Sequence, residues 1–133
     1  GMGVALDRSG NLESGLDAIK LARAYDPIDK GLRGPGWFFS PSHDSHWYWA
    51  LGAWSTARTA TLWGARADAF ERSVFEWEQY IQEAPADDRW IPLAHVRLAA
   101  VKREQERMRK AFEIQRKQEA ARKPAPDKLQ VDR

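Results

Sequence analysis

Phe70, Val74, Trp77 and Ile81 are spaced four, three and four residues apart. That spacing puts all four on one stripe of an α-helix, whereas in a strand it would split them between two faces. The same period recurs along the chain. Leu12, Leu16, Ile19 and Leu21 with Ala22 form one stripe, and Leu98, Val101, Met108 and Phe112 form another, with Gln105 in its gap. Trp47, Tyr48, Trp49, Leu51, Trp54, Ala57, Leu62 and Trp63 spread over more than one face, so the helix that carries them is expected to be covered on two sides. No segment alternates with the period of a half-buried strand, and the chain is expected to be all-α.

Breakers set the expected boundaries. Asn11, after Gly10, is a good N-cap, and Asp26-Pro27 ends the first helix because a residue before proline avoids the α region. Residues 28–40 read as a connector, with Gly31, Gly34, Pro35 and Gly36 followed by an apolar trio, Trp37, Phe38 and Phe39, that is expected to fold back onto a core. The next helix starts near Pro41 with Ser40 as N-cap, or with Asp44 as N-cap, and runs to Trp63 before Gly64. A third reaches Glu83 ahead of Pro85, Asp87 and Asp88, and a fourth meets no breaker until Pro124. Four helices are therefore expected, near 11–25, 41–63, 67–83 and 90–121. They form one domain over residues 1–122, with a polar, flexible tail at 123–133.

Composition removes several function classes. The 133 residues contain no cysteine, which excludes disulfides, thiolate metal sites and a cysteine nucleophile. The formal net charge of +2 does not call for a nucleic-acid partner, and no apolar run is long enough to span a membrane. His43-Asp44-Ser45-His46 holds metal-ligand residue types, but a site needs further ligands and nothing brings the remaining histidine, His95, close. Glu71, Glu76, Glu78 and Glu83 read as a solvated helix face. No phosphate loop or serine-histidine-acid arrangement is visible, so no catalytic residues, cofactor or metal are expected. Nothing in the sequence assigns a compartment.

The stretch Gly10-Asn11-Leu12-Glu13-Ser14-Gly15-Leu16-Asp17-Ala18-Ile19-Lys20-Leu21-Ala22-Arg23-Ala24-Tyr25-Asp26-Pro27 resembles the second helix of a tetratricopeptide repeat without a gap. Gly15 precedes Leu16, Ala22 is the small packing residue, and Asp-Pro closes the helix. Arg23 departs from the family's aliphatic preference. The first-helix signature of an aromatic, two residues, Leu and a small residue appears at Tyr48-Trp49-Ala50-Leu51-Gly52 and at Trp90-Ile91-Pro92-Leu93-Ala94. A second-helix pattern recurs at Ser73, Val74, Trp77 and Ile81, with Tyr80 where the family has alanine. Met2-Gly3-Val4-Ala5-Leu6 resembles the latter part of another first helix.

The resemblance implies antiparallel tetratricopeptide-like hairpins with a long C-terminal helix, acting as a protein-interaction or scaffold module without catalysis. A protein or peptide partner would bind in a groove carrying His46, Trp49, Ala53 and Thr56, provided that Tyr48, Leu51 and Gly52 pack inward. Two alternatives stand beside it. Beyond Val101 the final helix has only Met108 and Phe112 as large apolar residues on its stripe, so it is expected to project and to form a weak homodimer through them. From Arg97 to Lys123 ten Lys or Arg face four Glu, a local charge of +6 that could contact nucleic acid or a membrane surface. The plainer reading of that helix is solvation, with intrahelical pairs Glu106–Lys110 and Glu113–Lys117.

Overall fold

The computed structural model of the protein describes residues 2–25 and 42–122. Five helices follow one another: α1 (Met2–Arg8), α2 (Leu12–Tyr25), α3 (Asp44–Thr59), α4 (Trp63–Glu83) and α5 (Ile91–Arg122). All regular structure among the described residues is helical, as the periodicity requires. None of these helices is long and apolar enough to cross a membrane. The connector at 28–40 with its apolar trio, the Ser40-Pro41 start and the tail at 123–133 lie outside the described residues.

The fifth helix, α1, comes from the segment that resembles the end of a first helix. Gly10, at φ +100°, ends it in the left-handed region. The Gly10 N–H donates to the Asp7 carbonyl at 2.9 Å and the Asn11 N–H to the Leu6 carbonyl at 3.0 Å, which satisfies the last turn of α1. Asn11 then caps α2, its side-chain oxygen accepting the Ser14 N–H at 3.1 Å.

This first hairpin is tight because glycines line it. A Cβ on Gly15 would lie 2.8 Å from the Gly3 carbonyl oxygen and 3.1 Å from the Asp7 nitrogen. Gly15→Ala adds about 1 kcal/mol of helix propensity, but it drives two backbones apart. A net loss of about 1–3 kcal/mol in urea unfolding is expected, and a gain in stability would show that the hairpin opens without cost. Ala22, expected as the small packing residue, is exposed instead.

α3 runs through the centre. Trp47, Ala50, Leu51 and Ala57 are fully buried and Trp54 is 1% exposed, so the expected two-sided cover is present. Its ends differ from the sequence reading. Asp44 is its first residue rather than its cap; His43 occupies the cap position without a side-chain cap bond. The helix stops at Thr59, not Trp63, because Ala60 is extended and its N–H donates to Thr56 at 2.8 Å. Arg66 takes the Ala57 carbonyl at 3.0 Å. Trp63 begins α4, and Gly64 lies in the first turn of that helix instead of ending the previous one.

The buried face of α4 carries Phe70 and Trp77 as expected, but it turns toward Ala69, Ser73, Glu76 and Tyr80. Val74 and Ile81 lie at its edge, only partly buried. The Ser73 hydroxyl donates to the Ala50 carbonyl at 2.9 Å, joining α4 to α3. Glu76, expected on a solvated face, is 2% exposed.

α5 is 32 residues long, about 48 Å at 1.5 Å per residue. Its projection begins later than expected. Met108 packs against the core, and Phe112 stacks on Trp63 with ring centres 4.5 Å apart and planes 4° apart. Residues 113–122 are exposed, so the free end starts after Phe112 rather than after Val101. The expected lysine pairs are replaced by Arg109, which takes both Glu106 and Glu113. Those two contacts push the Arg109 guanidinium pKa upward, and Arg109 likewise holds the Glu106 carboxyl below its usual range.

The first and last helices also meet. Arg97 of α5 reaches Asp7 of α1 at 2.7 Å. A linear array makes contacts only between neighbouring repeats; this contact joins the two ends of the bundle.

Candidate functional site

On its side away from α1 and α5, α3 forms the floor of a cleft of about 610 Å³ walled by α2 and α4. Trp49, Ala53 and Thr56 come from the floor, Arg23 from one wall, and Ala65, Asp68, Ala69 and Arg72 from the other. The helix period explains the floor. Residues 49, 53 and 56 share one face of α3, while Tyr48 and Leu51 are buried in the bundle and buried Gly52 lies beneath Arg23. The lining pairs one large, partly buried aromatic with small side chains and a charged rim.

Three of the four expected groove residues therefore converge. The fourth, His46, does not. Its Nδ1 lies 2.8 Å from Glu76 Oε1 and its Nε2 2.8 Å from Glu83 Oε2, so both ring nitrogens are engaged by α4 carboxylates. Arg72 donates to the other oxygen of Glu76 at 3.0 Å. This chain of contacts fixes the α4 wall relative to the floor; His46 acts there as a brace and not as lining.

Arg23, Asp68 and Arg72 escaped the sequence reading. One signal existed, because Arg23 occupies a place where the resembled family carries an aliphatic residue. The structure supplies the reason: a Cβ on Gly52 would lie 3.0 Å from an Arg23 guanidinium nitrogen, so the glycine leaves room for that side chain. Ala65 and Ala69 gave no signal, since alanine is at home anywhere on a helix.

A second polar cluster lies on the opposite side of α3. Asp7 is fully buried; it accepts from Arg97 and from the Trp47 indole N–H at 2.9 Å. Arg8 donates to Asp44 at 2.8 Å and to the Tyr80 hydroxyl at 3.1 Å, and its guanidinium lies 4.4 Å from the Trp47 ring centre. Tyr80 donates onward to Asp88 at 2.8 Å. Burial, together with that hydrogen bond to Asp88, pushes the Tyr80 phenol pKa upward. His43 is buried edge-on to the Tyr80 ring, and His95 is exposed. The three histidines do not meet, and no group of three or more possible metal ligands occurs among the described residues. The cluster ties α1, α3, α4 and α5 together through charge pairs, although Arg8 Nε and His43 Nε2 have no hydrogen-bond partner among the described residues.

The expected self-association pair is also placed. Met108 and Phe112 line a shallow groove with Leu62, Trp63 and Arg66, so part of their surface is already covered by their own chain. Comparison with family models, with curated proteins and with solved structures finds no match to this chain.

Proposed function

We propose that this protein is a binding module that takes up a segment of another protein in the cleft over α3, without catalysis. The observation that carries the reading is the convergence of Trp49, Ala53 and Thr56 on one concave surface. A large aromatic beside small residues and a charged rim has the anatomy of a recognition patch, in which one anchor side chain supplies most of the affinity. The tetratricopeptide-like hairpin is part of the same proposal. It is supported by Gly15 at the closest approach of α1 and α2, and by buried Tyr48, Leu51 and Gly52 in the first-helix pattern.

The test is peptide selection on the full chain, followed by fluorescence anisotropy. Selected segments are expected to bind Trp49→Ala and Thr56→Glu at least about tenfold more weakly than the parent, as loss of an aromatic anchor does at other interfaces. Circular dichroism controls for folding. Segments that bind parent and both variants alike would place recognition elsewhere and remove the cleft from consideration.

A further inference from the structure

We propose that copies of this chain associate by pairing an acidic stripe on α4 with a basic stripe on the outward face of the C-terminal half of α5. On α4, Phe75 is 49% exposed and stands at the middle of a solvent-facing row. Asp68 lies seven residues before it, Glu71 four before and Glu78 three after, all exposed. On α5, Ile114 is 57% exposed and stands in the same position within a row of opposite sign. Arg107 lies seven residues before it, Lys110 four before and Lys117 three after, again all exposed.

The two rows share one spacing, and the helix period puts every member within one face. Laid side by side in the same direction, Asp68 meets Arg107, Glu71 meets Lys110, Glu78 meets Lys117, and Phe75 meets Ile114. On a single chain they cannot meet. Phe112, on the opposite side of α5 from Ile114, is stacked on Trp63, so the basic row faces away from the bundle.

The contacts that row members already make are solvent-exposed: Lys110 acts on Glu106, and the Arg72 guanidinium lies 5.9 Å from the Phe75 ring centre. The α5 glutamates nearest the row, Glu106 and Glu113, are taken by Arg109. Among the described residues Glu78 has one loose partner, Lys102 at 4.0 Å, and the cation beside the acidic row, Arg72, is held by Glu76. A second copy is the occupant favoured over nucleic acid. The basic row has an apolar residue at its centre, and the matching acidic row with its own apolar centre is on the same molecule. Because the two surfaces differ, the contact is heterologous. Exposed pairs of this kind contribute little individually and are screened by salt, so the association is weak and strongly dependent on ionic strength.

Sedimentation equilibrium on the full chain tests this. At about 20 mM salt the mass is expected to rise with concentration above that of the monomer, and at about 500 mM salt to fall back, since the screening length shrinks severalfold. Lys110→Glu with Lys117→Glu is expected to weaken association at least about tenfold, and Glu71→Lys with Glu78→Lys equally. An equimolar mixture of those two variants should recover it, because each then presents what the other lacks. Ile114→Ser, which changes no charge, is also expected to weaken it. A monomer at every concentration in low salt overturns the proposal, as does a mixture that stays apart. So does a monomeric chain that binds a DNA duplex or anionic vesicles through Lys110 and Lys117.

Discussion

Trp77→Ala is expected to lower stability by about 3–5 kcal/mol in urea unfolding, the range for deleting a large buried aromatic. The indole is fully buried at the centre of α4 and meets Trp47 edge to face, with ring centres 4.8 Å apart. Trp47 in turn contacts Tyr80 at 4.9 Å, so removal opens a cavity at the place where α3 and α4 share most of their core. Surrounding aromatics are rigid and collapse poorly into such a void. Trp77→Phe separates two effects. The Trp77 indole N–H has no hydrogen-bond partner among the described residues, so phenylalanine gives up ring volume without losing a bond seen there, and the cost should be well below that of alanine. A change below about 1 kcal/mol for Trp77→Ala would mean that the α4 stripe is not the core face.

Asp7→Ala is expected to cost a similar amount, about 3–5 kcal/mol, for an electrostatic reason. Asp7 is fully buried, and its carboxylate is the partner of both Arg97, 12% exposed in its side chain, and the Trp47 indole N–H. Alanine leaves the guanidinium in a poorly solvated place without its anion and leaves the indole N–H without an acceptor. Asp7→Leu combined with Arg97→Met removes both charges. That double variant should recover much of the loss, because a buried ion pair replaced by packed apolar groups is often neutral. The pair of measurements distinguishes an unpaired charge from simple loss of packing. If Asp7→Ala alone were nearly neutral, the joining of α1 to α5 would contribute little to folding.

The helices themselves were legible because their information is local. Period, caps and breakers are properties of short stretches, so α2, α4 and α5 lie close to their expected places. The α3–α4 junction was misplaced for the opposite reason. Gly64 looked like a stop, but Trp63 belongs to the following helix, where it stacks on Phe112 nearly fifty residues later. Glu76 was read as solvated because carboxylates on helices usually are. Only the approach of His46 and Arg72 explains its burial.

The cleft was half legible for the same physical reason. Residues 49, 53 and 56 share a face of one helix whatever surrounds it, so the sequence by itself determined that they would lie together. It could not assign their surroundings. That α2 and α4 rise on either side, that Arg23 fits over Gly52, and that His46 is drawn out of the lining by two carboxylates depend on how helices far apart in the chain pack. The same holds for Asp7 and Arg97, ninety residues apart, each an ordinary helix-surface residue type until α1 and the start of α5 meet. Periodicity along one helix is set by backbone geometry and survives in any fold. The pairing of charges and the shape of a cavity are relations between helices, and only the tertiary structure decides them.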